Sequence, residues 1–221
     1  MGPVLNQDLL PAVASAASHR PRSAVAERLR ERAVELAKAE QLGGASFTYR
    51  ICPLECIDGT VLVTGGERIE APWLLPESGT LTALACGVCT LGGTLEARVR
   101  SLFAEGQRSL AVALDSLGNE LLSEASTRMR HRLLKDLRRQ GLSLSGELRS
   151  GDPGLAIDTQ PLVIKLAGAQ RIGVSLSHGS LLQPLKSTSG IFGVGIGLPK
   201  ARWTRCDTCR SRDRCTHAAS A

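Results

Sequence analysis

One apolar stripe in the middle of the chain constrains the fold more than any other feature. Between about Ser109 and Gln140, apolar side chains recur every three or four residues, the spacing that places them on one face of an α-helix. The stripe consists of Leu110, Leu114, Leu117, Leu121, Ala125, Met129, Leu133 and Leu137. Gly141 follows it, as glycine often follows a helix. The spacing predicts one long helix that buries this face against another layer of structure.

Gly118 lies within this predicted helix, where glycine costs roughly 1 kcal/mol relative to alanine. A group that approaches the helix backbone closely at this point would explain the glycine. Simple tolerance of the residue is the alternative.

The segments on either side of the long helix combine helical and β-type patterns. Ser23 can cap a helix that runs to about Leu42, and Thr94–Glu105 has helical spacing before Gly106. Stretches rich in β-branched residues predict strands over 48–52, 59–64, 171–176 and 189–196. The apolar run over 80–92 is either a buried strand or a buried helix, because periodicity does not separate the two. Together these elements predict an α+β fold.

A length of 221 residues fits one domain with short appendages. We predict a flexible N-terminal arm over residues 1–22, a folded domain over 23–200 and a basic, cysteine-rich tail over 201–221. The hydrophobic fraction of 43% and the charged fraction of 22% are typical of a soluble protein. No apolar run approaches the roughly 20 residues that span a bilayer, so no membrane segment is expected.

The net charge of +6 is concentrated in two places. Basic residues crowd the second half of the long helix and the C-terminal tail, where they could face a nucleic acid, a phosphate-bearing cofactor or an acidic protein. A solvated helix face with a basic tail is the alternative. The chain has six aromatic residues and no nucleic-acid motif beside the charges, which argues against a nucleic-acid partner.

The seven cysteines suggest metal ligands rather than disulfides. No secretion signal precedes them, so we expect a cytoplasmic protein with reduced thiols. Cys206, Cys209 and Cys215 form a compact set that could hold zinc or an iron-sulfur cluster. His217, or the pair Cys86-x2-Cys89, could supply a fourth ligand. An exposed tail with reactive thiols is the alternative.

The chain contains none of the common catalytic or nucleotide-binding motifs. The glycines of GIFGVGIG (190–197) resemble a dinucleotide loop, but Pro199 follows where a helix would have to begin. A tightly packed, glycine-rich strand explains the spacing better. His178 lies in a predicted turn, and a structural role explains it best. We assign no catalytic residue.

Three stretches together resemble a known family. They are CTLGGTLEARVRSLF (89–103), SLAVALDSLGNELLSEA (109–125) and RIGVSLSHGSLLQPLKSTSGIFGVG (171–195). They are similar to the activation domain of cobalamin-dependent methionine synthase, and more so to the stand-alone proteins built on that domain. The resemblance covers about residues 25–197. It implies a bent antiparallel sheet flanked by helices, and binding of S-adenosylmethionine beside a corrinoid-carrying domain.

The resemblance also implies site residues. In the family an arginine before a Pro-Gly-Tyr turn contributes to the S-adenosylmethionine site; the matching stretch here contains Arg149, Pro153 and Gly154, with Leu155 in place of the tyrosine. A second segment, Lys186-Ser187-Thr188-Ser189-Gly190, fits the stand-alone proteins. Its lysine could contact a phosphate or propionamide of the corrinoid, or an acidic partner. A sheet-edge lysine is the alternative. Asp115 and Gly118 also fit the stand-alone pattern.

The function implied is that of an accessory protein in corrinoid-dependent methyl transfer. Its partner would be a corrinoid protein or corrinoid-dependent methyltransferase that carries cobalamin, and its task reductive reactivation or docking with S-adenosylmethionine. A low-potential iron-sulfur cluster on the tail could pass the electron. A non-catalytic binding module of the same fold, with a metal-stabilised tail, is the alternative. A small S-adenosylmethionine-dependent methyltransferase is disfavoured, because no glycine-rich loop follows a first strand.

Overall fold

The computed structural model describes residues 2–16, 23–177, 179–199 and 207. Five α-helices and ten β-strands lie within these ranges. The helices are α1 (Leu10–Ser15), α2 (Ala24–Ala39), α3 (Thr94–Ala104), α4 (Arg108–Arg138) and α5 (Gln160–Ala167). The strands are β1 (Val4–Asp8), β2 (Gly44–Pro53), β3 (Cys56–Asp58), β4 (Val61–Thr64), β5 (Glu67–Glu70), β6 (Thr80–Thr90), β7 (Ser143–Leu148), β8 (Ser175–Leu176), β9 (Leu182–Gln183) and β10 (Ser187–Ile196).

Five strands form a central antiparallel sheet in the order β1-β2-β6-β10-β7. Strand β6 lies in its middle and is buried on both faces, so its sequence need not alternate between apolar and polar residues. The ambiguous run over 80–92 is therefore a strand. Strands β3, β4 and β5 form a small second sheet, and β8 pairs with β9. The predicted α+β fold with an antiparallel sheet flanked by helices is confirmed.

Each face of the central sheet has its own apolar core. Helices α1 to α4 cover one face, and their core, called here the α4-side core, includes Phe47, Leu95 and Phe192. Helix α5, the small sheet and short 3-10 helices cover the other face. Their core, the α5-side core, includes Leu62 and Val163.

The long helix is confirmed as α4, and all eight residues of its apolar stripe are buried. Full burial of a leucine side chain stabilises a fold by roughly 1.5–3 kcal/mol, so this stripe is a major source of the stability of the domain. Within the described ranges, no helix is both long and apolar enough to cross a membrane.

The glycine-rich segment forms β10, as the sequence analysis predicted. A Cβ atom on Gly195 would lie 1.9 Å from the backbone oxygen of Thr80, and one on Gly193 would lie 2.4 Å from Ser145 Oγ. A bulge between Val194 and Gly195 accompanies this close approach. The glycines let neighbouring strands come closer than side chains would allow.

Two predictions about element placement are wrong. Residues 1–22 were expected to form a flexible arm, but within the described part, 2–16, β1 pairs with β2 along the sheet edge, and Leu9 and Val13 are buried. The strand predicted over 171–176 is not continuous: Arg171 and Ile172 end a 3-10 helix, Ala169–Ile172, and only Ser175 and Leu176 are in a strand. Gly168 and Gly173 adopt left-handed φ values at both ends of this helix, which prevents an extended strand there.

A polar contact ties the second half of α4 to the sheet. Tyr49 on β2 is buried, and its hydroxyl donates a short hydrogen bond to Asp136 Oδ2. Burial, followed by the neighbouring carboxylate, raises the pKa of Tyr49 to about 12. The same hydrogen bond, helped by Arg132, lowers the pKa of Asp136 below its ordinary value. Folding therefore favours the neutral phenol and the ionised carboxylate.

The close approach at Gly195 predicts a large effect of one methyl group. We expect Gly195→Ala to lower the free energy of unfolding by roughly 1–3 kcal/mol or more, because its Cβ would collide with backbone that cannot rotate away. Gly44→Ala is the matched control, since Gly44 lies in β2 with nothing within 4 Å of the added atom. Urea denaturation of both variants measures the difference, and equal stabilities would contradict the close approach.

The Tyr49–Asp136 contact predicts a pH dependence. The pKa of Tyr49 is raised on folding, so its contribution to stability is complete below its ordinary pKa of 10.0 and is lost as pH rises towards about 12. The pKa of Asp136 is lowered on folding, so its contribution is lost as pH falls below its ordinary value of 3.8. The stability difference between the wild type and Tyr49→Phe should therefore be largest at neutral pH and shrink at both extremes. A difference independent of pH would contradict this contact.

Candidate functional site

A closed turn follows β7 and carries three of the residues implied by the family resemblance. The Arg149 backbone N–H donates to Asp152 Oδ2 at 2.8 Å, and the Gly151 N–H donates to the Leu155 carbonyl at 2.8 Å. Gly154 has a φ of +84°, which favours glycine. These bonds fix the backbone of residues 149–155, called here the 149–155 turn.

Trp73 packs directly on this turn. It belongs to a 3-10 helix, Pro72–Leu74, that follows β5. A Cβ atom on Gly154 would lie 2.7 Å from the indole Cγ, so the glycine leaves the space that the ring occupies. Trp73 is 46% exposed as a residue, so part of its surface is open to a ligand.

An open groove of about 790 Å³ runs between the end of β5 and the turn. Its size lies within the roughly 300–1,000 Å³ that is usual for small-molecule sites. Three acidic residues, Glu70, Asp152 and Asp158, line it together with one basic residue, Arg68, and the apolar residue Ile157. The Asp152 carboxylate is already engaged by the Arg149 backbone N–H. A lining that carries both signs of charge beside apolar surface, with acidic residues in excess, suits a zwitterionic or cationic organic ligand better than an anion.

Arg149 itself is engaged by a neighbour. Its Nε donates to Glu147 Oε1 at 2.9 Å, and about a third of the side chain is exposed. Gly154 lines the groove, and Pro153 belongs to the same turn but is not among the lining residues. The Arg149 guanidinium is held towards β7. Glu147 also lies near the start of β10, since a Cβ on Gly190 would be 3.2 Å from its Oε1.

Lys186 lies just before β10 and packs on α4. Its Nζ forms an ion pair with Asp115 at 2.8 Å and donates to Asn119 Oδ1 at 2.7 Å, and only 13% of the side chain is exposed. A Cβ on Gly118 would lie 3.3 Å from Lys186 Cε and 3.0 Å from Leu95 Cδ2. Of the two explanations for Gly118, the close approach of a neighbour agrees with these distances. Lys186 is a nearly enclosed, charge-paired residue rather than a free sheet-edge lysine.

The two serines of the same segment bind neighbouring elements. Ser187 shares a hydrogen bond of 2.8 Å with Thr90 Oγ1, and Ser189 donates to Gln160 Oε1 at 3.4 Å. The structure therefore gathers Arg149, Pro153 and Gly154 on the turn. It places Lys186, Ser187 and Ser189 separately, at the start of β10.

The cysteine predictions have two outcomes. Cys206, Cys209, Cys215 and His217, like His178, lie outside the described residues. Cys86 and Cys89 both lie in β6, but Cys86 belongs to the α5-side core and Cys89 to the α4-side core. The two thiols cannot bind one ion together, because residues three apart on a strand face opposite sides. That either of them supplies a fourth ligand to the tail cysteines stays a prediction. Over residues 2–16, 23–177 and 179–199, no group of three or more metal-ligating side chains occurs.

Sequence reasoning missed the other residues of the groove and the contact of Trp73 with the turn. Glu70 lines the groove from the end of β5, and Asp158 lines it from just beyond the turn without belonging to a motif. Trp73 packs on Gly154 from the 3-10 helix that follows β5. The only local signal was the sequence Pro72-Trp73, and a proline before a tryptophan does not predict which segment the indole contacts.

Comparison with solved structures identifies the fold. A crystal structure of the MetH reactivation domain bound to AdoHcy superposes with a TM-score of 0.63 and 14% sequence identity, over 86% of this chain and 78% of that chain. No protein-family profile matches the sequence. No curated protein matches it either. The chain therefore has an activation-domain-like fold, and the resemblance stated from sequence is confirmed at the level of fold.

The contact between Trp73 and Gly154 predicts a specific spectroscopic change. In a Trp203→Phe background, Gly154→Ala should displace the indole and increase the quenching of Trp73 fluorescence by acrylamide, because the added Cβ occupies the ring position. Gly151→Ala is the matched control: its φ is also positive, but its Cβ would meet only Ile157 Cδ1 at 3.5 Å. Equal quenching in both variants would contradict the contact.

Proposed function

We propose that this protein is an accessory protein of corrinoid (cobalamin)-dependent methyl transfer. It would take part in the reductive reactivation or docking of a corrinoid protein, together with S-adenosylmethionine. One observation supports this most: the fold matches a reactivation domain that binds AdoHcy, and an open groove lies at the turn that the sequence resemblance assigns to the ligand.

The chemistry of the groove suits S-adenosylmethionine. The ligand carries a positive sulfonium, a positive ammonium group and a carboxylate; Glu70 and Asp158 can face the positive charges, and Arg68 can face the carboxylate. Trp73 packs on Gly154, which lines the groove, and its exposed part offers a flat apolar surface for an adenine ring or a cationic centre. Ile157 adds apolar surface on the far side.

The role of the chain in this proposal is positioning. The reacting cobalt would belong to cobalamin on the partner protein, which supplies the chemistry of methyl acceptance. The 149–155 turn would hold the methyl donor, and the fixed Lys186–Asp115 pair at the start of β10 would form part of the docking surface. Cys206, Cys209 and Cys215 remain a proposed zinc or iron-sulfur set.

A second candidate function is a non-catalytic binding module of the same fold. Leu155, which stands where the family has a tyrosine, is buried in the α5-side core and gives the groove no hydroxyl. The Arg149 guanidinium is already paired with Glu147. Both features would be expected if ligand binding had been lost and the fold served assembly alone.

Calorimetric titration with S-adenosylmethionine and with S-adenosylhomocysteine separates the two candidates. The reactivation role predicts saturable binding in the micromolar range for at least one of them. Trp73→Ala should then weaken binding by roughly tenfold or more if the indole stacks on the base, and Arg149→Ala should also weaken it.

Phe103→Ala is the matched control, because Phe103 is also 46% exposed but lies on α3. It should bind as the wild type does. Absence of heat up to millimolar ligand, with a native circular dichroism spectrum, would overturn the reactivation role and favour the binding module. Equal loss in Phe103→Ala would show that the effect is not specific to the groove.

A further inference from the structure

Two thiols face each other within the central sheet, outside the groove and outside the tail. Cys52 lies near the end of β2 and Cys86 in the middle of β6, and both are free cysteines. In the register of these strands Arg50 is opposite Cys86, and Cys52 is opposite Leu84. Cys52 and Cys86 are therefore diagonal neighbours on one face of the sheet.

Diagonal spacing suits a bridging ion better than a disulfide. Diagonal residues of an antiparallel pair are about 7–8 Å apart, whereas a disulfide usually joins Cα atoms about 4.4–6.8 Å apart. A metal ion held linearly between two thiolates, with metal–sulfur bonds of about 2.3 Å, places the sulfur atoms about 4.6 Å apart. The bridging ion therefore fits the diagonal spacing without a closer approach of β2 and β6, whereas a disulfide would require one.

The surroundings favour a thiolate at one of the two sulfur atoms only. The hydrogen bond between the two thiols lowers the pKa of Cys52 to about 7, whereas the same hydrogen bond and burial raise the pKa of Cys86 well above its ordinary value. The site therefore depends on the placement of the two cysteines and on the neighbouring positive charge. Cys86 is completely buried, and Cys52 is 6% exposed, so Cys52 gives the pair its opening to solvent. Arg50, on the same face, supplies the positive charge that a negative site requires.

We propose that Cys52 and Cys86 form a two-coordinate site for a soft monovalent cation, Cu(I). Thiolates select soft ions, and a two-coordinate ion needs no third side chain. On binding, two S–H bonds break, two sulfur–copper bonds form and two protons pass to solvent. Copper stays in the +1 state, and the resulting bis-thiolate carries one negative charge beside Arg50.

The full-length chain with Cys206→Ser, Cys209→Ser and Cys215→Ser serves as the background for the test, so that the tail thiols cannot compete. Cu(I) is added anaerobically in the presence of bathocuproine disulfonate, whose coloured complex reports the copper it retains. We expect one Cu(I) per chain to be withdrawn from the chelator. Cys52→Ser and Cys86→Ser should each abolish this withdrawal.

Two further cysteines provide controls. Cys56→Ser removes an exposed thiol four residues from Cys52, and Cys89→Ser removes a buried thiol on the opposite face of β6, where it donates to Met129 Sδ at 3.6 Å. Both variants should bind copper as the background does. X-ray absorption of the loaded background should show two sulfur ligands, a result that does not depend on the folding of any Cys86 variant.

Three results would overturn the site. They are retention of copper without Cys52 or Cys86, loss of copper in Cys56→Ser, and a metal shell with nitrogen or with more than two sulfur atoms. Quantitative formation of a Cys52–Cys86 disulfide with diamide would also contradict the copper site, because a disulfide requires a shorter distance between the two Cα atoms than the bridging ion does.

Discussion

The structure depends on the close pairing of β6 with β10. The two strands align over ten residue pairs, from Ser187 opposite Thr90 to Ile196 opposite Thr80. Gly193 and Gly195 let this central part of the sheet pack without intervening side chains. Because both strands are buried on both faces, the sheet offers two apolar surfaces, and α4 and α5 can each bury a face against it.

The pairing of β10 with its other neighbour, β7, determines where the 149–155 turn lies. Strand β7 pairs with β10 only as far as Leu148, which lies opposite Ile191, and the chain then leaves the sheet as the 149–155 turn. The turn therefore adjoins the first half of β10, and the Arg149–Glu147 pair beside Gly190 joins the two segments. The strand register thus makes neighbours of the turn and the residues around Gly190, which lie about forty positions apart in the sequence.

Features that depend on residues close together in the sequence could be predicted, and features that depend on contacts between distant segments could not. Helix α4 was predictable because its stripe is periodic, and the neighbour at Gly118 was indicated by the cost of glycine inside a helix. The identity of that neighbour, Lys186, depends on strand order and could not be inferred locally. The packing of Trp73 on Gly154 is likewise a tertiary contact, and so is the placement of Cys52 beside Cys86. In both cases the two segments share no sequence motif. The order of Val4–Asp8 within the predicted arm was missed because β1 acquires it by pairing with β2, not from its own sequence.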